Sequence, residues 1–232
     1  MPVTLRIREV LPATPRARVV RIDLDGKRFP YIPGQAVLVG SHGHEKRKPY
    51  SIASAPEDVE RDGYLELLIG VDSQGAAGAH LALQPGEAVD IDGPLGRFTF
   101  PADPAERRFL FVAGGTGIAP LRAMLRHALR VPHGEVGLLY SARTPLEFAF
   151  EDEFRAMASA GRIHLRQTVT REAADGWHGT RGRIGQADLA PLVHDTETLC
   201  FVCGPPALVA DIPKLLADLG VDPARVRIEE WT

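Results

Sequence analysis

The fold is decided by the stretch Phe109-Leu110-Phe111-Val112-Ala113-Gly114-Gly115-Thr116-Gly117-Ile118-Ala119-Pro120-Leu121. An apolar run of strand length breaks into three glycines, and Pro120 stands where a helix is expected to begin. From Leu121 to Leu129 apolar residues recur at helical spacing, so the pattern predicts a strand, a glycine-rich turn and a helix. Such a turn lets the backbone approach a bulky ligand, and the helix N-terminus offers N–H groups to a phosphate. Because Pro120 takes the place of the third glycine of the dinucleotide fingerprint, the turn is either a nucleotide site or a structural corner.

The composition is that of an ordinary globular protein. Its 232 residues are 44% hydrophobic and 25% charged, which suits one large or two compact domains. The net charge of −3 gives no reason to expect nucleic-acid binding. No apolar stretch is long enough to span a bilayer, and the first residues alternate like a strand, without the apolar block of a signal peptide. We therefore expect a cytoplasmic protein without a nucleic-acid partner or a membrane span.

The two cysteines limit the redox chemistry of the chain. A plant-type iron–sulfur cluster needs four thiolates, so any such cluster has to lie on another polypeptide. Cys200 and Cys203 have the spacing of a redox or zinc pair. They end an apolar run that is typical of a buried strand, where residues three apart face opposite sides. We predict two separate buried thiols rather than a dithiol site.

The two halves of the chain have different hydrophobic periods. The first hundred residues alternate with period two between turn residues, which predicts a small antiparallel Greek-key β-barrel. After residue 107 strands alternate with helical patterns, which predicts a parallel α/β sheet. The domains are placed at 1–103 and 108–232. The predicted strands are Thr4–Val10, Arg18–Leu24, Ala36–Val39, Tyr50–Ala53, Tyr64–Val71, Ala88–Asp92, Phe98–Phe100, Phe109–Ala113, Glu135–Tyr140, Ile163–Val169 and Leu199–Cys203, and the predicted helices are Leu121–Arg130, Phe150–Ala160 and Ala207–Leu219.

Four loops are expected to converge at one edge of the α/β sheet. Ligands of parallel sheets bind at the carboxyl ends of the strands. The loops that fall there are Gly114–Gly117, Ser141–Arg143, Thr170-Arg171 and Gly204–Pro206. This edge is the expected ligand site of the second domain.

A basic segment precedes one predicted strand of the barrel. Lys46-Arg47-Lys48-Pro49 leads into Tyr50 and Ser51, and Lys48 and Tyr50 share a strand face because they are two residues apart. A cation for a phosphate and an aromatic ring for a planar heterocycle suit a flavin nucleotide. The alternative is a solvated basic loop before an ordinary edge strand.

Five motifs follow one another along nearly the whole chain. They are Pro33-Gly34-Gln35, Tyr50-Ser51-Ile52-Ala53-Ser54, Gly93-Pro94-Leu95-Gly96-Arg97-Phe98, Gly114-Gly115-Thr116-Gly117-Ile118-Ala119-Pro120 and Cys203-Gly204-Pro205-Pro206. Their order and spacing resemble those of the ferredoxin–NADP reductase superfamily, and they are specific for the superfamily but not for one member.

The resemblance implies an FAD-binding barrel followed by an NAD(P)-binding α/β domain. Tyr50 would pack against the isoalloxazine, Ser51 would hydrogen-bond near flavin N5, and Ile52, Ala53 and Ser54 would continue along the flavin. Gly114, Gly115, Thr116 and Gly117 would cradle the pyrophosphate of the nicotinamide nucleotide, and Cys203, Gly204 and Pro205 would border the nicotinamide. Trp231 would cover the flavin face, or alternatively pack on the domain seam.

This chain departs from the family pattern at two positions. The arginine expected two residues before the tyrosine is Lys48, so either Lys48 or the adjacent Arg47 would bind the flavin phosphate. The second phosphate segment, Gly75-Ala76-Ala77-Gly78, has Gly78 where the family has serine, which leaves backbone N–H groups as the remaining donors. FAD is the expected flavin, with FMN as the alternative.

The remaining charged motifs give one cofactor prediction. Arg143 and Arg171 follow two strands of the sheet and favour NADPH over NADH, because they suit an adenosine 2′-phosphate; solubility alone is the alternative. His42 and His44 have no evident third metal ligand, so we expect a solvated loop and no metal site. The acids at 151–153 are expected to complement a helix dipole.

The sequence therefore predicts a flavin-dependent NAD(P)H oxidoreductase that passes hydride to FAD N5 and then electrons to a separate acceptor protein, such as a ferredoxin, a flavodoxin or an oxygenase component. Two alternatives stay open. One is a nucleotide-binding regulatory or electron-transfer subunit of a larger complex, and the other is a reductase of free flavin. The sequence does not indicate the oligomeric state.

Overall fold

The computed structural model describes residues 2–171, 177–193 and 195–230. The chain divides into two compact units. The first, the barrel unit, comprises Met1–Phe100 together with Arg122–His127, and the second, the α/β unit, comprises Pro101–Leu121 together with Ala128–Thr232.

Six antiparallel strands form the sheet of the barrel unit. They are β1 (Val3–Thr14), β2 (Ala17–Asp23), β3 (Ala36–Ser41), β4 (Lys48–Ser51), β5 (Tyr64–Gly70) and β6 (Ala88–Leu95), in the order β4-β3-β6-β1-β2-β5. A bridge between Ile52 and Leu67 joins the end of β4 to β5, so the two outer strands approach each other. The antiparallel barrel predicted from the period-two pattern is thus confirmed.

Alternating side chains build the core of the barrel. In β1, Leu5 and Ile7 are buried while their neighbours Thr4 and Arg6 are exposed, because successive strand residues face opposite sides of a sheet. The same alternation carries Val20 inward from β2. The largest fully buried apolar side chains of this core are Ile7, Ile22, Ile52, Leu65, Leu67 and Ile69.

The α/β unit contains a parallel sheet with helices between its strands. Its strands are β7 (Phe109–Gly114), β8 (Val136–Ala142), β9 (His164–Val169), β10 (Thr180–Arg181), β11 (Leu199–Gly204) and β12 (Val226–Glu230), in the order β10-β9-β8-β7-β11-β12. Helix α1 (Pro56–Asp62) belongs to the barrel unit, and the residues of α2 (Ile118–Ala128) are divided between the two units. The other helices of the α/β unit are α3 (Glu151–Ser159), α4 (Gln186–Leu189) and α5 (Pro206–Asp218). The predicted parallel sheet is confirmed.

Strand β7 lies where the order of the α/β sheet reverses. The chain proceeds from β7 through β8 and β9 to β10 on one side, and returns to β11 on the other. Every residue of β7 and β11 is buried, because helices cover both faces of a parallel sheet. A reversal of this kind opens a crevice at the carboxyl ends of the two strands.

Several predicted element boundaries were wrong. Phe98–Phe100 is not a strand: both phenylalanine side chains are buried, but the Phe100 N–H donates to the carbonyl of Pro33 in a loop. The apolar alternation of these residues is typical of a strand, but it arises here from two buried side chains in a loop. Pro120 is the third residue of α2 rather than its start, since a short 3₁₀ turn at Gly115–Gly117 leads into the helix.

Four helices and strands were not predicted from the sequence: α1, α4, β10 and β12. Helix α1 has a proline at its start, acidic residues in its first turn and Gly63 with φ +75° at its end, so its signals were present but short. Strands β10 and β12 lie at the two edges of the sheet and carry exposed positions, which blurred their apolar patterns. The predicted acids at 151–153 do lie in the first turn of α3.

Within the part of the chain that the structure describes, no helix combines the length and the apolar character needed to cross a bilayer.

Candidate functional site

The first candidate site is the segment that leaves β4 in the barrel unit. Ser51, Ile52, Ala53 and Ser54 are all buried. Backbone hydrogen bonds fix the segment on both sides: Ile52 N–H donates to the Gln35 carbonyl at 2.9 Å, and Ala53 N–H donates to the Glu66 carbonyl at 2.7 Å. Four of the five residues that the family resemblance places along the flavin ring, Ser51–Ser54, thus form one buried segment with a fixed backbone, which we call the flavin strip.

Ser51 carries a buried hydroxyl without a protein partner. The residue is 3% exposed, and its Oγ makes no hydrogen bond to any described residue. Buried polar groups are nearly always paired, so an orphaned hydroxyl at the end of a rigid strand is suited to a ligand. This observation fits the predicted hydrogen bond to a flavin.

Arg47 is better placed than Lys48 to hold a phosphate. Lys46 and Lys48 are exposed, whereas Arg47 is half-buried and its buried Nη1 has no hydrogen-bond partner among the described residues. Its stem runs over Gly40, where an added Cβ would lie 3.0 Å from Arg47 Cγ. A planar guanidinium with an unused donor matches the geometry of a phosphate better than a solvated ammonium group does.

Tyr50 contacts a histidine that the sequence reading did not select. The Tyr50 hydroxyl lies 2.8 Å from His80 Nε2, and the two rings are nearly parallel, at 12° with centroids 6.1 Å apart. Burial raises the pKa of Tyr50 to about 12. Burial, together with the nearby Lys48 and His44, lowers the pKa of His80. The only signal in the sequence was that His80 lies in the segment that departs from the family pattern.

In the second phosphate segment, Gly75–Gly78, two backbone N–H groups are already hydrogen-bonded to the nearby Asp72. Gly75 N–H donates to the Asp72 carbonyl at 3.0 Å, and Ala76 N–H donates to the Asp72 side chain at 2.9 Å. Hydrogen bonds from these and neighbouring N–H groups lower the pKa of Asp72. Of the four residues predicted to bind phosphate here, Gly75 and Ala76 therefore donate their N–H groups to Asp72. Ala77 is half-buried and Gly78 is exposed.

A buried ion pair between Arg122 and Glu66 is hydrogen-bonded to the backbone of the flavin strip. Arg122 Nη1 donates to the Ala53 carbonyl and to Glu66 Oε2, both at 2.9 Å, and the two side chains are only 6% and 9% exposed. Burial alone would raise the pKa of Glu66, but the guanidinium groups of Arg122 and Arg21 outweigh it and hold the pKa below its ordinary value. The sequence reading missed this pair, because its members are 56 residues apart.

Ser54 is held by the same part of the barrel unit. Its Oγ accepts a hydrogen bond from the Glu66 N–H at 3.1 Å, and its carbonyl accepts one from the Tyr31 hydroxyl at 2.7 Å. The Ser54 hydroxyl therefore has a structural partner, unlike that of Ser51. A small polar cavity of about 220 Å³ lies beside it and is lined by Arg21, Ser54, Asp58, Arg61, Asp62, Tyr64, Glu66, Arg122 and Arg126.

The second candidate site is the loop between β7 and α2. Gly114 and Gly117 are buried, and each lies against the end of β11. A Cβ added at Gly117 would meet the Cys203 carbonyl, with its carbon at 2.6 Å, and one added at Gly114 would lie 2.7 Å from Pro205 Cδ. Gly117 is therefore required by the close approach of two backbones, whereas Gly114 leaves room for the side chains of Pro205 and Leu208.

The middle of this loop is open. Gly115 and Thr116 are exposed, Gly115 has a φ of +56°, and an added Cβ there would meet nothing within 4 Å. The Tyr140 hydroxyl, from a fully buried side chain, donates to the Gly115 carbonyl at 3.0 Å and fixes the turn. An anchored turn with open space above it, followed directly by a helix N-terminus, suits a phosphate.

The end of β11 faces the same crevice. Cys203 and Gly204 are buried, while Pro205 is exposed at the start of α5. Cys200 and Cys203 are both buried and form no disulfide, as predicted. Burial raises the pKa of Cys200 to about 12, so that thiol stays protonated.

The two predicted phosphate-reading arginines lie side by side. Arg143 and Arg171 are exposed, and the Arg171 N–H donates to the Arg143 carbonyl at 2.9 Å across the ends of β8 and β9. His42, in contrast, is paired with Asp90 at 2.9 Å, and its hydrogen bond contributes most to lowering the pKa of Asp90 to about 2. Trp231 lies outside the described residues.

Two family models match the chain and together cover most of it. Residues 4–100 match the model described as "Oxidoreductase FAD-binding domain", and residues 111–214 match "Oxidoreductase NAD-binding domain". A curated relative, "Ferredoxin--NADP reductase B" of Sorangium cellulosum, is 34% identical, and the match covers 99% of this chain and 98% of the relative. The "Alkene monooxygenase system, ferredoxin--NAD(+) reductase component" of Xanthobacter autotrophicus is also 34% identical, over 84% of this chain and 60% of that protein.

A solved structure has the same fold. The cytochrome P450 reductase GcoB of Amycolatopsis superposes with a TM-score of 0.84 at 26% identity, and the match covers 99% of this chain and 69% of that one.

Proposed function

The chain belongs to the ferredoxin–NADP reductase superfamily, and from this membership we infer that it is a flavoprotein reductase that uses NAD(P)H. FAD and NAD(P)H are its cofactors. When bound, they supply the chemistry, in which a hydride passes from nicotinamide C4 to flavin N5 and electrons continue to a separate acceptor protein. The residues of the chain bind and orient the two nucleotides, so no acid–base triad is required.

The observation that carries the flavin site is the orphaned hydroxyl of Ser51. We propose that Ser51 hydrogen-bonds near flavin N5, that Tyr50 packs against the isoalloxazine and that the strip Ile52–Ser54 runs along it, with Pro49 at its start. Arg47 binds the flavin phosphate. This assignment is supported by the rigid backbone of the strip and by the unused Nη1 of Arg47.

The nicotinamide nucleotide is proposed to bind at the carboxyl edge of the α/β sheet. Gly115 and Thr116 approach the pyrophosphate at the N-terminus of α2, while Cys203 and its neighbours Gly204 and Pro205 border the nicotinamide. Two observations support this assignment. Gly115 and Thr116 are exposed, and they follow β7, the strand at which the order of the sheet reverses. We place the FAD-binding domain at 1–103 and the NAD(P)-binding domain at 108–232.

The electron acceptor is proposed to be a ferredoxin, a flavodoxin or an oxygenase component, and the protein is proposed to act in the cytoplasm. The relatives include a ferredoxin–NADP reductase and the reductase component of a monooxygenase system, which supports an acceptor of this class. Lys46 and Lys48 are exposed cations that would attract an acidic partner.

The experiment that tests the function is anaerobic mixing of the FAD-loaded protein with NADPH or NADH, followed by flavin absorbance. Rapid bleaching is the expected result. Bound flavin that neither nucleotide reduces would instead indicate a regulatory subunit, and weak, exchangeable flavin would indicate a reductase of free flavin.

Arg47 and Lys48 are expected to contribute unequally to FAD affinity. Arg47→Gln removes a partly buried guanidinium with an unused donor, so it should raise the Kd for FAD about tenfold or more. Lys48→Gln removes an exposed charge and should raise it by no more than about fivefold. Titration of the apoproteins with FAD, followed by flavin fluorescence, measures both. Equal losses in the two variants would contradict the assignment.

Arg143 and Arg171 are expected to discriminate between the two nicotinamide nucleotides. Replacing both with alanine should lower kcat/KM for NADPH about tenfold or more, because charge-assisted bonds to the 2′-phosphate are lost, and should leave the value for NADH nearly unchanged. Arg162→Ala is the matched control, since Arg162 is also exposed but precedes β9 at the opposite edge. A parallel loss for both nucleotides would show that the two arginines do not read the 2′-phosphate.

A further inference from the structure

The contact between Tyr50 and His80 links two segments that are far apart in sequence. His80 is 3% exposed, and its Nε2 is the group within hydrogen-bond distance of the Tyr50 hydroxyl. The distance of 2.8 Å between the hydroxyl oxygen and Nε2 is that of a hydrogen bond, and the two rings are nearly parallel. The phenol ring is thus held at its far end as well as at its Cα.

The backbone of the barrel unit holds His80 in place. Its carbonyl accepts a hydrogen bond from the Ser41 N–H at 2.9 Å at the end of β3, and the next residue, Leu81, is buried in the barrel core. Ser41 Oγ accepts a further bond from the Ala82 N–H at 3.0 Å. Because these contacts fix the His80 carbonyl and the two residues that follow it, the imidazole is attached to an ordered backbone beside Tyr50.

Gly78 lies beside the imidazole of His80. Its φ is +106°, a conformation that side-chain-bearing residues rarely adopt, and an added Cβ would lie in ordinary contact, 3.4 Å from His80 Nδ1. The serine expected here from the family pattern would therefore be strained by the backbone conformation, although space for its Cβ exists.

We propose that His80 is a positioning residue for the flavin, which acts by holding the Tyr50 ring in the orientation that packs against the isoalloxazine. The proposal rests on the proposed function, in which FAD lies against Tyr50. A ring that is already ordered loses less conformational entropy when the flavin binds, so the hydrogen bond contributes to affinity although His80 acts only through Tyr50.

The protonation states agree with this role. Burial raises the pKa of Tyr50 to about 12, so its hydroxyl keeps its proton at neutral pH and can donate it. Burial, Lys48 and His44 lower the pKa of His80, which favours the neutral imidazole that can accept at Nε2.

A double-mutant cycle on FAD affinity tests the proposal. Tyr50→Phe removes the hydroxyl and His80→Phe removes the imidazole nitrogen while keeping an aromatic ring. Each single variant should raise the Kd for FAD about fivefold, and the double variant should raise it no further, because both remove the same bond. His80→Gln, which retains a hydrogen-bonding group, should recover part of the affinity.

The visible circular dichroism of the bound flavin provides a second readout, because it reports the asymmetric surroundings of the ring. Tyr50→Phe and His80→Phe should change this spectrum in the same way. His42→Phe is the matched control: His42 is an exposed histidine of the same unit that is bonded to Asp90, and its replacement should leave the spectrum and the Kd unchanged.

Losses that multiply in the double variant, or an unchanged Kd and spectrum in His80→Phe, would overturn the positioning role while the reductase function stands. Wild-type protein that takes up no FAD would overturn the proposed function and this inference with it.

Discussion

Replacing Glu66 with alanine is expected to lower the free energy of unfolding by about 3 to 5 kcal/mol, because it breaks a buried ion pair by removing the carboxylate that binds the guanidinium of Arg122. The two side chains are 9% and 6% exposed and lie 2.9 Å apart. Arg122 also donates to the carbonyl of Ala53, so the flavin strip loses part of its support and FAD affinity should fall as well. Urea unfolding of the apoprotein at neutral pH measures the effect on stability.

Glu9→Ala is the matched control for Glu66→Ala. Glu9 also pairs with Arg21, at 2.7 Å, but its side chain is 37% exposed. Such a pair is screened by solvent, so its loss should cost no more than about 1 kcal/mol. An equal loss of unfolding free energy in Glu66→Ala and Glu9→Ala would show that the buried pair stabilises the protein no more than the exposed pair does.

The stabilising effect of Glu66 should also depend on pH. The pKa of Glu66 is lower in the folded protein than in the unfolded chain, where it is about 4.3. The contribution is therefore complete above that pH and is lost as the pH falls through the lower, folded-state pKa. The difference in stability between wild-type protein and Glu66→Ala should accordingly narrow only under acidic conditions, and a difference that narrows near neutral pH would contradict this origin.

Gly117→Ala is expected to destabilise the protein by about 3 kcal/mol, because a small-to-large change at a close contact forces backbone shifts. The new Cβ would meet the carbonyl group of Cys203, with its carbon at 2.6 Å, and Gly204 Cα at 2.9 Å. All these atoms belong to backbone, so no side chain can rotate away. Thermal or urea unfolding measures the loss.

Gly115→Ala is the matched control in the same loop. An added Cβ at Gly115 meets nothing within 4 Å, so only the strain of its positive φ remains, at about 1 to 2 kcal/mol. A larger loss for Gly115→Ala than for Gly117→Ala would mean that turn conformation, rather than backbone contact, makes glycine necessary here.

The candidate sites could be predicted from sequence only where short motifs carry the signal. Tyr50–Ser54 are consecutive in the sequence, so the resemblance could assign them to one site, and the structure shows Ser51–Ser54 as one buried segment. His80 and the Glu66–Arg122 pair were missed, because their partners are distant in sequence and no local pattern marks them. The sequence left both Arg47 and Lys48 as candidates for the flavin phosphate. The structure favours Arg47, because its Nη1 is buried and has no hydrogen-bond partner among the described residues.

The sequence by itself determined the two halves, because the period of the apolar residues reports strand or helix locally. It also determined the parallel sheet and the strand, turn and helix around Gly115, since glycine and proline restrict the backbone whatever surrounds them. Only the tertiary structure decided why Gly117 has to be glycine, that the Ser51 hydroxyl has no hydrogen-bond partner among the described residues, and which imidazole contacts Tyr50. These features depend on contacts between distant segments, and such contacts are set by how the strands associate rather than by any one stretch of chain.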